Sequence, residues 1–303
     1  MNVNGAALSA IFLNLSKVYN DTFKEVPTSY QKIAMTVPSS GKYVDYRWLA
    51  NFPKMERWVA KKVVKKLVEY QYTIVNEKFA ATVEVDRDDI EDDQLGIYKP
   101  QAESAAWSAK QLPDELVYEA FNKAFTTKCY DGKPFISTEH PVGAKTSFSN
   151  KGDKKLSIES LAKAQASFGA ARTAMMSIKD DQGRPLNVKP NLLVVPVALG
   201  DIARALMTVS QLEDGKPNPY KGVCEVLEEA RLTNDSAWFL MDTTKPIKPF
   251  VYQERKKPTF VQMTNPDSPN VFMEGVFYFG AEARAAAGYG HPHLIWGSTG
   301  TVA

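Results

Sequence analysis

Cysteine is scarce in this chain, since only Cys129 and Cys224 occur among 303 residues. Small secreted domains usually rely on several disulfides, and zinc sites use closely spaced pairs of cysteines or histidines. Two cysteines so far apart in the sequence fit neither pattern. The cysteine content therefore excludes a disulfide framework and indicates a reducing compartment such as a bacterial cytoplasm.

An excess of charge and long apolar segments are also missing. The formal net charge is +2, whereas dedicated nucleic-acid binders usually carry a pronounced basic surplus. The longest apolar run, residues 192–199, contains Pro196 and is far shorter than the roughly 20 residues that span a bilayer. The first residues carry none of the positive charges that open a secretory signal. We therefore expect no membrane association.

Motifs of common catalytic and cofactor sites are absent from the sequence. There is no glycine-rich phosphate loop, no HExxH, no GxSxG and no paired CxxC. His291 and His293 would share one face of a strand. Two imidazoles are too few for zinc, and Pro292 between them is more typical of a bent edge strand. We therefore predict no catalytic, cofactor-binding or metal-binding residues.

Residues 128–141, which read KCYDGKPFISTEHP, support two opposed interpretations. Cys129, His140 and the carboxylates Asp131 and Glu139 offer the thiol, base and acid of a cysteine hydrolase. The turn signal after Asp131 and the two prolines are instead typical of an ordered connector with a half-buried thiol. Because catalytic partners usually meet in space rather than along the chain, we favour the connector and keep the enzyme as an alternative.

Two helices are predicted by apolar residues at helical spacing. The first contains Leu8 and Phe12 and ends before Pro27, and such an amphipathic helix is expected to dock on an apolar surface such as its own core. The second covers residues 100–125 and would be about 38 Å long at ~1.5 Å per residue. Its many alanines would allow another element to approach closely. We expect Pro113 to kink or split this helix.

Basic residues interleave with Trp58 and valines in residues 54–66. The pattern fits a solvated charged face beside a buried stripe. It also fits a projecting hairpin whose apolar side and lysines meet another subunit. The acidic run at residues 88–93 is a candidate partner for such lysines, although it also suits the start of a helix. The lysines in question are Lys61, Lys62, Lys65 and Lys66.

The remaining segments alternate between helical and strand patterns and predict an α+β chain. We expect polar or exposed loops at residues 145–155, a candidate subdomain boundary, and at 215–222, which contain Pro217 and Pro219. The predicted helices cover residues 158–176 and 198–208. The predicted strands cover residues 70–74, 80–85, 192–195, 223–227, 237–241, 271–279 and 281–296.

The chain also resembles the major head subunit of Mu-like bacteriophages and prophages, from about residue 33 to residue 297. Residues 128–141 resemble a signature of that family, and further pieces stand in the family's order. These pieces are Tyr46-Arg47-Trp48-Leu49, Arg57-Trp58, Tyr72-Thr73-Ile74-Val75-Asn76, Phe79, Arg87-Asp88-Asp89-Ile90-Glu91-Asp92-Asp93 with Gly96, Asn191-Leu192-Leu193-Val194-Val195-Pro196, and Ala283-Arg284 with Gly288-Tyr289-Gly290.

The resemblance implies an α+β fold of the Hong Kong phage capsid type with an N-terminal arm, an extended loop, a long spine helix and two mixed α/β subdomains. The expected division of the chain follows the family. It comprises an arm at 1–32, an extended hairpin loop with leading strands at 33–85, a peripheral subdomain with the spine helix at 86–150, an axial subdomain at 151–250, and C-terminal strands returning to the peripheral subdomain at 251–303.

By implication the chain is a major capsid protein, assembled in a bacterial cytoplasm into hexamers and pentamers of a virion shell. Expected partners are further copies, a scaffold or protease, a portal, a decoration protein and double-stranded DNA bound without sequence specificity. A nanocompartment shell of the same fold is the alternative within this class. The residues expected at assembly contacts are Leu8, Phe12, Trp58, Lys61, Lys62, Lys65, Lys66, Pro217 and Pro219.

Overall fold

The computed structural model describes residues 5–46, 72–92, 95–142, 146–180, 183–212, 215–265 and 267–302. These residues form helices and strands in mixed order. The helices are α1 Gly5–Glu25, α2 Tyr30–Ile33, α3 Arg87–Glu91, α4 Lys99–Asn122, α5 Leu161–Met176 and α6 Gly200–Thr208. The strands are β1 Ala34–Pro38, β2 Tyr43–Asp45, β3 Thr73–Val75, β4 Glu77–Asp86, β5 His140–Val142, β6 Thr146–Phe148, β7 Lys151–Lys154, β8 Leu192–Val195, β9 Glu225–Glu228, β10 Trp238–Met241, β11 Phe250–Met263, β12 Val276–Tyr289 and β13 Ile295–Val302.

A long four-stranded sheet has the order β1-β11-β12-β4. Strands β11, β12 and β4 are antiparallel neighbours, and β1 adds a parallel edge to the first part of β11. Helix α1 lays its apolar stripe on this sheet, where Leu8, Ile11 and Leu15 join a core with Val83 and Phe279. The predicted N-terminal helix is confirmed, and it packs on its own chain.

A second sheet of five strands has the order β7-β13-β10-β8-β9. Strands β8 and β10 are buried along their whole length, as a run of apolar residues without alternation indicates. One face packs on α5 and α6, where Phe168 and Leu206 meet Leu193 and Leu240. The other face belongs to the core that α4 shares with the four-stranded sheet.

The C-terminal part of α4 connects the two sheets through one aromatic side chain. The Phe121 ring lies edge-on to Phe239 of β10, with 4.5 Å between ring centroids, and stacks on Phe250 of β11 at 4.8 Å. Phe121 is fully buried. A single helical residue therefore contacts the interior of both sheets.

Helix α4 continues through Pro113 without splitting, so that part of the prediction is wrong. The neighbouring Asp114 is buried and accepts hydrogen bonds from the backbone N–H groups of Ser29, at 3.1 Å, and Tyr30, at 2.7 Å. Burial raises the pKa of Asp114, although these hydrogen bonds oppose the effect. Contacts from outside the helix thus hold it beside the proline, and packing outweighs the local cost of proline.

Two other expectations about the second half of the chain need correction. Residues 145–155, predicted as a polar loop, contribute β6 and β7, and β7 pairs in parallel with β13. The last strand, β13, does not return to the sheet next to α1, because it pairs antiparallel with β10. Its Trp296 packs against Trp238 with 5.1 Å between ring centroids. Burial of these two indoles explains the placement of β13 in the five-stranded sheet.

The segment 271–279, predicted as one strand, divides at Gly275. A π-helical turn at Asn270–Glu274 precedes it, and β12 begins after it. Gly275 has a φ of 73°, a left-handed conformation that glycine adopts without steric cost. The turn ends the loop between β11 and β12, and its side chains Phe272 and Met273 point into solvent, 81% and 77% exposed.

Replacement of Phe121 by alanine should lower the free energy of unfolding by about 3–5 kcal/mol, because it opens a cavity between both sheets. The matched control is Phe272→Ala, which removes the same atoms from an exposed position and should change stability by no more than about 0.5 kcal/mol. Urea unfolding of the unassembled chains, followed by circular dichroism, measures both values. Equal effects of the two substitutions would contradict the central position of Phe121.

Candidate functional site

Four polar side chains from three segments of the chain meet in the interior near the end of α4. Asp131, in the turn that follows α4, lies between Cys129 and His140 and contacts both. The Cys129 thiol donates to Asp131 Oδ1 at 3.1 Å, and His140 Nδ1 lies 2.6 Å from Asp131 Oδ2. On the other side of the ring, His140 Nε2 is 3.2 Å from Asn150 Oδ1. We call these four residues the polar cluster.

Asn150 connects the polar cluster to three parts of the backbone. Its side-chain amide donates to the carbonyl oxygens of Phe135, at 2.9 Å, and Pro292, at 3.0 Å. Its Oδ1 accepts from the backbone N–H of Ser137 at 2.8 Å. The cluster therefore ties the turn after α4 to the start of β7 and to the connection between β12 and β13.

The electrostatics of the polar cluster do not favour a nucleophilic thiol. Burial raises the pKa of Cys129 far above its usual value, and the charge of Asp131 raises it further. Burial alone would raise the pKa of Asp131, but hydrogen bonds from His140, Cys129 and the Lys133 backbone lower it below its usual value. A reactive cysteine instead needs an electropositive and accessible environment.

The sequence predicted a turn-rich connector with a half-buried thiol, whereas the Cys129 thiol is buried, and it did not single out a partner for His140. Asp131 holds the imidazole, whereas Glu139 lies at the surface and pairs with Lys133 at 3.1 Å. Donor atoms of Cys129, Asp131 and His140 lie within 4.8 Å of one another, a set that metals accept. Because hydrogen bonds already join these atoms, we assign the cluster to hydrogen bonding.

The other two histidines lie close to the polar cluster. Phe148 stacks on His140 with 4.9 Å between ring centroids and on His293 with 4.2 Å. The ring centroids of His291 and His293 are 6.3 Å apart. Burial lowers the pKa of His291 to about 4 and that of His293 to about 3, the latter with a contribution from His291 and His140. Pro292 begins a 3-10 turn between β12 and β13 rather than bending an edge strand.

The residues expected at assembly contacts occupy three different settings. Leu8 is buried against its own sheet, and Phe12 stacks on Phe260 of β11 at 5.8 Å. Both therefore contact their own chain, so the structure gives α1 the role of docking on its own core. Trp58, Lys61, Lys62, Lys65 and Lys66 lie outside the described residues.

Pro217 and Pro219 are exposed on either side of a buried residue, Asn218. The Asn218 side chain donates to the carbonyl oxygens of Leu206, at 2.8 Å, and Val209, at 2.9 Å, and it accepts from Gln165 at 2.8 Å. An asparagine between two prolines is a turn signal, yet its partners lie on α5, on α6 and directly after α6, and the sequence does not reveal them. The prolines are thus presented to solvent on an anchored loop.

Sequence reasoning missed several strongly exposed apolar residues in the part of the chain that the structure describes. Phe272 and Met273 lie at the end of the β11–β12 hairpin, and Leu13, on the outer side of α1, is 67% exposed. Adjacent exposed apolar side chains are typical of surfaces that become covered in an assembly. The apolar composition of residues 271–279 could have pointed to this exposed pair, but it was interpreted as a buried strand. Among the described residues, no helix combines the length and hydropathy needed to cross a bilayer.

Stability should fall in acid because of His291 and His293. Unfolded histidine binds a proton near pH 6.5, whereas both buried rings stay neutral to much lower pH. The unfolded chain therefore holds more protons below pH 6.5, and each ring should reduce the free energy of unfolding by up to about 1.4 kcal/mol per pH unit. Urea unfolding between pH 6 and pH 4.5 measures this slope. His293→Gln should make it shallower, and an unchanged slope would contradict the assignment.

Comparison with known proteins covers nearly the whole chain. The family profile described as Mu-like prophage major head subunit gpT matches residues 8–161, 156–232 and 228–303. The Mu-like prophage FluMu major head subunit of Haemophilus influenzae is 30% identical over 289 residues, which are 95% of this chain and 72% of that protein. The major capsid protein of Escherichia phage Mu is 30% identical over 290 residues, 96% and 72% of the two chains.

Solved structures give the same result for the fold. A chain from the procapsid of bacteriophage JBD30 aligns with a TM-score of 0.63 and 27% identity, over 98% of this chain and 76% of that one. A chain from the bacteriophage JBD30 capsid aligns with a TM-score of 0.54 and 29% identity, over 77% of this chain and 100% of that one. A chain from a virus-like particle of Pyrococcus furiosus aligns with a TM-score of 0.55 and 11% identity, over 94% of this chain and 97% of that one. Similarity at this level of identity shows the fold alone.

These similarities confirm the predicted α+β fold of the Hong Kong phage capsid type. They extend from α1 to β13 and include residues 128–141. The chain belongs to the Mu-like prophage major head subunit family.

Proposed function

We propose that this chain is a major capsid protein whose hexamers and pentamers form the icosahedral head around double-stranded DNA. The observation that carries the proposal is 30% identity to the phage Mu major capsid protein over 96% of the chain. Alignment with a chain from the JBD30 procapsid over 98% of the sequence supports it. Assembly in the bacterial cytoplasm and a final place in the virion follow from this function.

The mechanism we propose is multivalent association of identical subunits. Each copy makes several modest contacts, and closure of the shell makes their sum effectively irreversible. The candidate contacts are the lysine-rich segment 54–66, the anchored loop with Pro217 and Pro219, and the exposed pair Phe272 and Met273. Leu8 and Phe12 belong to this set only if α1 leaves its own sheet for a neighbour.

The predicted division into subdomains remains part of this proposal. The arm, the extended loop, a peripheral part with α4 and an axial part around the five-stranded sheet would each meet different neighbours. In that arrangement β13 belongs with the axial part, since it pairs with β10 and β7.

Further partners of the shell are a scaffold or protease, a portal, a decoration protein and the packaged DNA. A net charge of +2 suits a wall that contacts DNA without reading its sequence, because small cations neutralise most of the enclosed phosphate charge. The nanocompartment alternative rests on the shared fold alone, and the virus-like particle from Pyrococcus furiosus, at 11% identity, adds no more than the fold. The phage function is therefore favoured.

The enzyme alternative depends on Cys129 and His140, and the polar cluster argues against it. The thiol is buried and its raised pKa keeps it protonated. Asp131 lies between thiol and ring, so the ring is not the base that a nucleophilic cysteine needs. We infer a structural role for both residues.

The purified chain should form shells, tubes or rings of five or six subunits in negative-stain electron microscopy and size-exclusion chromatography across a range of salt. Cys129→Ser should assemble equally well, because a hydroxyl also donates to Asp131, whereas it would abolish a cysteine enzyme. If the chain alone stays monomeric, the scaffold gene is co-expressed. A monomer that persists with the scaffold would overturn the capsid function.

Replacement of Lys61, Lys62, Lys65 and Lys66 together by glutamate should raise the concentration needed for assembly by about tenfold or more, since weak ion pairs repeat in every subunit. The matched control replaces the same four residues by arginine, which keeps the charge. Light scattering of both variants against concentration measures the effect. Equal assembly of the glutamate and arginine variants, with unchanged circular dichroism, would exclude these lysines from the contacts.

A further inference from the structure

The four-stranded sheet has an outer face, which points away from α1 and α4. Val83, Phe277 and Phe279 face the helices, and successive residues of a strand alternate between the two faces, so their neighbours in β4 and β12 point outward. The β2–β3 pair covers one end of the outer face, where Ile74 packs with Ala286. Further along, the outward residues of β4 are all exposed.

Three cations lie side by side across this outer face. Lys256 of β11, Arg284 of β12 and Lys78 of β4 are direct neighbours in the register of the sheet, and we call them the basic row. Lys256 contacts Glu282 at 2.9 Å, whereas Lys78 and Arg284 form no ion pair with any residue that the structure describes. Like charges directly opposite each other on neighbouring strands destabilise a sheet. The isolated subunit therefore carries a charge arrangement that its own described residues do not compensate.

The opposite sign of charge collects at the other end of the same face. Glu84 lies opposite Tyr278 in the register, and the Tyr278 hydroxyl donates to Glu274 at 3.4 Å. Asp86 follows Glu84 on the outward side of β4. Glu84, Asp86 and Glu274 are exposed, and we call them the acidic end.

The basic row and the acidic end are too far apart to neutralise each other within one subunit. Six positions of β4 lead from Lys78 to Glu84, a span of about 20 Å along a strand. The Debye length at physiological salt is only about 8 Å, so the attraction between the two ends is largely screened. Each end therefore keeps its charge available for another molecule.

We propose that the outer face of the four-stranded sheet binds a second copy of this chain, with the basic row of one copy against the acidic end of the next. Charge complementarity selects this occupant, because every copy offers both signs on one surface. The acidic end also borders the exposed pair Phe272 and Met273, so the same contact covers apolar surface. The contact presupposes the proposed shell function and adds which surfaces of the subunits meet.

Double-stranded DNA is the other partner that a row of cations could bind. Its phosphates present negative charge along the whole duplex, so the acidic end of the same face would repel it. One of the three cations, Lys256, is moreover already paired with Glu282. A face with two signs of charge therefore favours a second copy over DNA.

Lys78→Glu separates a contact between subunits from a role within one subunit. A glutamate opposite Arg284 removes repulsion between like charges, so the unassembled chain should resist urea as well as the wild type or better. Assembly should nevertheless need about three to ten times more protein, because an anion then faces the acidic end of a neighbour in every subunit. Circular dichroism in urea and light scattering against protein concentration measure the two effects. A loss of stability alongside the loss of assembly would place the counter-charge of Lys78 in its own chain and contradict the proposal.

Two matched controls accompany this variant. Lys78→Arg keeps the charge and should assemble like the wild type. Lys163→Glu makes the same change of charge at an exposed position of α5 and should also leave assembly unchanged. Equal weakening by Lys163→Glu and Lys78→Glu would reduce the effect to net charge and count against the outer face.

An exchange of charges tests the pairing itself. Glu84→Lys alone should weaken assembly about as much as Lys78→Glu does. The double variant with Lys78→Glu and Glu84→Lys restores complementary ends and should assemble at lower concentration than either single variant. A double variant that assembles no better than the single ones would overturn the proposed contact.

The same measurements distinguish failure of the contact from failure of the shell function. All variants are compared with the wild type, with the scaffold co-expressed if the chain alone stays monomeric. A wild type that assembles together with a Lys78→Glu variant that assembles equally well would exclude the contact and leave the shell function intact. A wild type that stays monomeric with its scaffold would exclude both. If Lys78→Glu assembles normally but loses affinity for a labelled DNA duplex in fluorescence anisotropy, the basic row binds DNA and the proposal is wrong.

Discussion

The contact of Phe121 with both sheets is the constraint on which the rest of the structure depends. The four-stranded sheet has a long apolar face that must be covered. In the five-stranded sheet, strands β8 and β10 are only four residues long. Helix α4 supplies a common partner for both, since its last turns enter the core that contains Phe239 and Phe250. Neither sheet would bury its inner face without this helix, so the two parts of the chain are expected to fold cooperatively. The polar cluster lies directly beyond the end of α4 and fixes the chain where it leaves this core.

Small side chains allow α4 to lie close to its neighbours at its other end. Ala102, Ala105 and Ala109 are buried there, and Ala281 and Ala283 lie on β12 of the sheet below. Larger residues would separate the helix from the sheet and draw Phe121 out of its position. The same demand for close approach occurs within the sheet, where a Cβ atom on Gly280 would lie 2.4 Å from the Ala81 carbonyl oxygen. Short side chains along the helix and aromatic ones at its end therefore act together.

Local periodicity predicted the parts of the fold that local sequence determines. Helix α1, most of α4 and strand β8 follow from apolar spacing or from a short apolar run, and their bounds differ little from those predicted. The errors fall where distant partners decide the outcome. Strand β7 is polar and forms because β13 lies beside it, and β13 joins the five-stranded sheet because Trp296 packs on Trp238. Pro113 stays within a helix because the backbone N–H groups of Ser29 and Tyr30 hold the neighbouring Asp114. Helix propensities do not include such contacts from a distant part of the chain.

The same distinction applies to the functional residues. The sequence placed Cys129, Asp131 and His140 in one window, but only the fold shows that Asp131 receives both partners and that Asn150 completes the cluster from the next segment. In this arrangement each polar atom around the ring is used by another atom of the same chain, so the cluster has no free group to offer a substrate. The surface is different, because Phe272, Met273 and Leu13 are large apolar side chains left in solvent. Large apolar side chains that are left in solvent are typical of surfaces that further copies of a chain cover in an assembly.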